Sequence, residues 1–331
     1  VVEGTRLRAI PLVLALAGLL LAACSDVPTS GPVVGGNPVS NQDPPRNILY
    51  AAAQPRPGDA PARIVDGYLD AMSAYQPGYE TATMFLTPDS QGSWEPMAGI
   101  TVHRGTRPSI EELDNDIIRV TITVTGEVQE DGSFELADPG TTREFDLQMT
   151  QVDGEWRIAD PPEGTIISED DFAREFEPHN LCFFTPDLDM FVLDPVYVPT
   201  TGQAATLLTQ MMLDGPSVWL DPAVQTAFPE GVALGVSSVP VEAGLATVDL
   251  SANAQSAELP QRELMAVQLA CTLSTLPEVG RIAMNSDGVP LLNQEEEPTV
   301  DATRDERYDP DKPRVDSALL AVDDGAVVLR Q

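Results

Sequence analysis

The run Leu21-Ala22-Ala23-Cys24 carries the most specific chemistry in this sequence. A cysteine directly after small residues supplies the thiol that takes a diacylglyceryl group. Cleavage between Ala23 and Cys24 then makes the modified cysteine the new N-terminus. Upstream, Arg6 and Arg8 precede the fifteen uncharged residues from Ala9 to Ala23. That is a basic region followed by an apolar one too short to span a bilayer comfortably. Residues 1–23 are therefore expected as a lipoprotein signal peptide, and Cys24 as the lipidated residue. Two acyl chains hold a protein stably on a bilayer. The expected location is the extracytoplasmic face of the cell membrane.

The remaining chemistry is sparse. Cys182 and Cys271 are the other cysteines. In an oxidising compartment they form one disulfide or stay as two buried thiols, and spacing alone leaves both open. His103 and His179 are the only histidines, so a Ser/His/Asp triad has few bases to choose from. The run 235–239 only grazes a nucleophile elbow, and no phosphate-cradling glycine motif is present. Asn285-Ser286-Asp287-Gly288 resembles part of a calcium loop. With Gly288 at loop position 6, however, Ala283 and Gln294 fall where Asp and Glu are needed, so it reads as a turn. Asp249 reads as a strand-end residue bonding local backbone. Trp94 and Trp156 read as core, and His179 as a packed or surface residue near a domain junction. No catalytic residue, metal site or cofactor is expected, and the chain is read as not an enzyme.

These residues need a scaffold. The segment 24–45 is dense in Pro, Gly, Ser and Asn and reads as a disordered tether, about 25 Å long as flexible coil. From 46 to 165 helical spacing comes first: Ile64, Val65, Tyr68, Leu69 and Met72, then a shorter helix over 79–86. Strands follow. Val120, Ile122 and Val124 alternate with threonines, and Phe145, Leu147 and Met149 with polar residues, as in a sheet with one wet face. Asp131-Gly132 and Asp153-Gly154 are hairpin signals. The reading is an α+β domain, a curved antiparallel sheet packed on helices, as in NTF2-like or cystatin-like folds.

A second α+β domain is expected over 166–291. Strands are expected at 181–184, 190–193, 232–236, 245–250 and 281–285. A helix over 204–213 should stop at Gly215-Pro216. A second helix should start at Pro260, with Leu264, Val267 and Cys271 facing inward. Cys182 and Cys271 should therefore lie close together. Residues 292–314 read as a linker, and 317–329 as one hairpin. Removing everything after Leu292 is expected to leave both domains' stability unchanged.

The second domain resembles a GerMN domain. The resemblance rests on Ala205-Thr206-Leu207-Leu208 through Leu213-Asp214-Gly215-Pro216, then Phe228-Pro229-Glu230-Gly231-Val232, Thr247-Val248-Asp249-Leu250-Ser251, and Gln268-Leu269 with Thr272-Leu273. With the lipobox, and with Phe85-Leu86-Thr87, Trp94-Glu95-Pro96 and 153–158 in the first domain, the whole order resembles the actinobacterial LpqB lipoprotein family. That resemblance implies a β-propeller after the GerMN domain, of which 292–331 would be the linker and truncated start. It also implies a partner, the MtrB sensor kinase of the MtrAB two-component system. The expected function is modulation of that kinase through protein–protein contacts at the membrane. Peptidoglycan binding is the alternative, and an extracytoplasmic hydrolase a weaker one. With 18 basic against 52 acidic residues and a net charge of −34, the surface repels nucleic acid and anionic headgroups, so no nucleic-acid partner is expected.

Overall fold

Helix α1, Pro61–Met72, opens on a proline in its first turn, where the missing N–H costs nothing. Ile64, Val65, Tyr68, Leu69 and Met72 form one buried stripe along it, as their spacing predicts. In this computed structural model residues 52–292, 299–312, 319–323 and 326–330 are described. Cys24 and the expected signal peptide and tether lie outside them. The second expected helix is shorter than its pattern: a 3-10 turn, Pro77–Tyr79, leads into α2, Glu80–Thr83. Helix α3, Pro88–Ser93, follows, capped by the Thr87 hydroxyl accepting from Ser90 N–H at 3.4 Å.

Seven strands then build the first sheet: β1 Ile100–His103, β2 Ser109–Leu113, β3 Ile117–Val128, β4 Phe134–Leu136, β5 Thr142–Val152, β6 Glu155–Ile158 and β7 Thr165–Ser168. Their order is β6-β5-β3-β1-β7, with β2 and β4 also paired to β3. Every pairing is antiparallel except β1 with β7. Along β3 burial alternates at every residue, placing Val120, Ile122 and Val124 in the core under α1. On β5 Leu147 and Met149 are buried, while Phe145 reaches the core only partly. Asp153-Gly154 is a two-residue turn with both φ positive, which joins β5 to β6 in the primed geometry that strand twist favours.

The expected domain boundary at 166 falls inside β7. The first domain runs on through β7 and helix α4, Glu169–Glu175, because Ser168 caps that helix. Its hydroxyl accepts from Asp171 N–H at 3.1 Å, and three acidic residues sit in the first turn.

The second domain opens with a long hairpin, β8 Phe176–Phe184 against β9 Phe191–Pro199. Helix α5, Ala204–Asp214, ends at Gly215 as expected. A second sheet follows: β10 Val241–Glu242, β11 Leu245–Leu250, β12 Arg281–Ser286 and β13 Val289–Pro290, with β14 Thr299–Asp301 also on β12. Strands β11 and β12 are parallel, and α6, Leu259–Leu273, makes the crossover between them. The chain is thus α+β in two domains. Two details depart from the spacing. Residues 232–236 form no strand, only a bridge from Leu234 to Leu250. On α6, Leu264 and Val267 are only partly buried; Met265, Leu269 and Thr272 fill the inner face instead.

The segment 299–312 is not a linker. Strand β14 pairs with β12 in register. Phe191 N–H donates to Tyr308 O at 2.7 Å, and the Tyr308 ring packs on Phe184 and Phe191 with centroids 5.3 and 5.6 Å away. By contrast, among the described residues β15 Leu319–Asp323 and β16 Ala326–Arg330 pair only with each other, in a sheet of their own. Cutting the chain after Lys312 is therefore expected to change stability by less than about 0.5 kcal/mol. Cutting after Leu292 is expected to cost about 2 kcal/mol, from the lost aromatic packing and buried area. Urea unfolding of the two truncated chains beside the full chain checks both numbers.

Candidate functional site

The sequence-predicted residues divide by role. Cys24 lies outside the described residues. Cys182, on β8, is joined to Cys271, on α6, by a disulfide with Cα atoms 6.0 Å apart. Trp94 is core: its Nε1–H donates to the carbonyls of Pro162 and Gly164 at 3.0 and 3.1 Å. Trp156 is half-buried on β6. Asp249 sits near the end of β11 but does not bond local backbone as expected. It accepts from the N–H of Gly288, 39 residues on in the turn after β12, at 3.1 Å, because the parallel pairing of β11 with β12 brings that turn beside it. His179 is buried on β8, its Nδ1 3.1 Å from the Thr275 hydroxyl, and burial holds its imidazole below the usual range. His103 is buried on β1. The two histidines therefore sit in different domains. Among the described residues, no three His, Cys, Asp or Glu side chains gather as a metal would need.

What the sequence did not reveal is the way the domains lock together. The turn between β3 and β4, residues 129–133, is clamped onto the second domain. Gly132 O accepts from Tyr197 N–H on β9 at 2.9 Å. The ring of Phe134, next to that turn, packs on Phe172 of α4 and Tyr197 of β9, with centroids 5.6 and 5.5 Å away. Phe172 in turn packs on Phe176 and Tyr197. Four aromatic rings from both domains thus make one continuous contact, which restrains the domains from hinging.

Two carboxylates fix the loop after α5 to this junction. Asp194, on β9 and fully buried, accepts from Ser217 N–H at 2.7 Å and from the Ser217 hydroxyl at 2.6 Å. Asp131 of the first domain accepts from Ser133 N–H with Oδ1 and from Val218 N–H, at 3.3 Å, with Oδ2. At and directly after these anchors the loop holds two large apolar side chains out in solvent: Val218 is 85% and Trp219 63% exposed. Trp219 is thus a large apolar side chain held in solvent directly after a backbone tied to both domains. The signals for it in the sequence were only the Gly215-Pro216 stop and an Asp-Gly turn; the partner carboxylates sit far off along the chain.

Comparison with known proteins matches both halves of the chain. Residues 54–173 match the model for the N-terminal domain of lipoprotein LpqB, and residues 180–292 the model described as sporulation and spore germination. The chain is similar to a lipoprotein LpqB of Thermobifida fusca, 32% identical over 285 residues, which is 82% of this chain and 45% of that protein. It is similar to one of Streptomyces coelicolor, 32% identical over 322 residues, 88% of this chain and 51% of that protein. It is similar to one of Cutibacterium acnes, 31% identical over 300 residues, 88% and 49%. The chain spans about half the length of these curated relatives. Among solved structures it is similar to the tandem GerMN domains of the sporulation protein GerM from Bacillus subtilis, with TM-score 0.29, 16% identity, and coverage of 35% of this chain and 41% of that one. Among the described residues no helix is long and apolar enough to cross a membrane.

Proposed function

We propose that this chain, which belongs to the LpqB lipoprotein family, is held on the extracytoplasmic face of the membrane by a lipid on Cys24 and works there by protein–protein contact. Its target in this reading is the extracytoplasmic domain of a sensor histidine kinase of the MtrAB type, and its role is to modulate that kinase without catalysing a reaction. The observation that carries the contact role is the locked junction, which holds Val218 and Trp219 exposed on a loop tied by Asp131 and Asp194. Burying such residues on a rigid support costs little ordering on binding. The membrane role rests on the lipobox and on the relatives being named lipoproteins.

The test has two arms. The wild-type chain should incorporate a fatty-acid analogue and fractionate with membranes, whereas Cys24→Ala should do neither, since the acceptor thiol is gone. The purified body should retain the kinase's extracytoplasmic domain in a pull-down and leave isolated peptidoglycan in the supernatant. Label on the Cys24→Ala chain would overturn the anchor. Retention on peptidoglycan without kinase binding would replace the contact role with wall binding.

A further inference from the structure

A groove of about 760 Å³ runs beside the exposed loop, between the 129–133 turn and the end of α5. It shares Gln129, Glu130 and Met211 with a second, mainly apolar hollow of about 530 Å³ along the same junction, so the two form one trough. Two kinds of side chain meet in the first. Met211, Val218 and Trp219 are apolar, the last two standing in solvent. Glu130, Asp131, Glu135 and Asp214 are acidic. Among the described residues no Arg, Lys or His lines either part of the trough.

The acidic groups are poorly answered inside the molecule. Among the described residues none of the four forms a salt bridge with an Arg or Lys that could neutralise it. Asp131 is occupied by Ser133 and Val218, and Glu135 only by a long contact from Gln129 at 3.4 Å. Elsewhere the first domain pairs its acids readily, as Asp146 with Arg119 and Glu127 with Arg143. Carboxylates left without cations around an apolar trough form a surface complementary to a chain that brings both cations and apolar anchors.

We propose that this trough docks a basic amphipathic segment of a partner protein, with an apolar side chain of that segment packed against Trp219 and Met211 and its Lys or Arg residues set against Glu130, Glu135 and Asp214. This rests on the reading that the chain works by protein contact, and it names the place and the chemistry of that contact. A second copy of this chain is a poor occupant, since a sequence of net charge −34 repels its like, and an anionic lipid headgroup is repelled for the same reason. A guanidinium or ammonium over the Trp219 face gains further from the ring's quadrupole.

The probe is a fluorescein-labelled synthetic twelve-residue peptide alternating Arg or Lys with Leu, titrated against the body by fluorescence anisotropy. Saturable binding that weakens steeply between about 50 and 200 mM salt is expected. Trp219→Ala should weaken it at least tenfold, as should the combined Glu130→Gln, Glu135→Gln and Asp214→Asn variant. Glu111→Gln with Glu112→Gln, on exposed positions of β2, should leave it within twofold. Binding lost equally with the β2 variant would mean general attraction to an acidic surface, and would overturn the proposal. So would no binding, binding only of a neutral glycan fragment, or self-association that buries Trp219. The kinase pull-down separates this proposal from the broader reading. If the kinase domain binds wild-type and Trp219→Ala alike, the trough proposal falls and the contact role stands. If the peptide binds in the trough and the kinase domain does not bind, the kinase reading falls and the trough stands.

Discussion

Removing the disulfide by the double substitution Cys182→Ala and Cys271→Ala is expected to cost the second domain about 3 kcal/mol, within the usual 2–4 kcal/mol range for such a bond. The bond joins residues 89 apart in sequence, so it closes a long loop and withdraws much freedom from the unfolded chain. The Cα separation of 6.0 Å lies in the ordinary range for a bridge, and both cysteines are buried. The bond also ties the elements that carry the core: β8 on one side, α6 on the other. A hydrogen bond beside it, from Cys182 N–H to the Thr272 hydroxyl at 3.0 Å, survives the substitution and keeps strand and helix in register. The loss should therefore come through the unfolded state, and the urea slope should rise as that state expands. Urea unfolding of the exported wild-type chain, the double variant and the reduced wild type checks it. A loss below about 1 kcal/mol, or two titratable thiols in the denatured, unreduced protein, would refute it. The bond also bears on location, because such a bridge persists in an oxidising compartment, where an exported lipoprotein would sit.

Much of the fold was legible because its signals are local. The alternation along β3 and the stripe on α1 are written in residues that touch the core directly. Asp153-Gly154 adopts its turn because the flanking strands twist, whatever the rest of the chain does. The misses are tertiary. The inner face of α6 is set by what the sheet presents to it, so Met265 and Leu269 go in while Leu264 and Val267, equally apolar, stay half out. Residues 299–312 look like a charged linker, yet one Tyr and a three-residue strand suffice to pin them once β12 offers an edge. The trough was illegible for the same reason: Asp131, Asp194 and Ser217 are ordinary polar residues in sequence, and only their meeting at the junction makes Trp219 a presented side chain.

That junction hinges on Gly132, and Gly132→Ala is expected to cost about 2–4 kcal/mol. Two effects add. Gly132 has φ +80°, in the left-handed region where a β-carbon costs about 1–2 kcal/mol. A β-carbon there would also lie 2.0 Å from Met211 Cε and 3.2 Å from Val196 Cβ. The methionine end can swing aside, but the Val196 Cβ sits on a paired strand and cannot, so overpacking adds about 1–2 kcal/mol. The substitution should loosen the clamp rather than unfold either domain, because neither core passes through the turn. Protection of the Tyr197 amide, which donates to Gly132 O, should fall in hydrogen exchange while the β3 and β11 amides stay protected. Gly140→Ala is the control. Its φ is +86° and nothing lies within 4 Å of the added carbon, so it carries the backbone cost alone, about 1–2 kcal/mol. The excess of Gly132→Ala over Gly140→Ala therefore reads the junction contact itself. Equal losses at the two sites, with Tyr197 still protected, would mean that the turn rests beside the second domain without clamping it. The trough along the junction would then lack the rigid wall that presents Trp219.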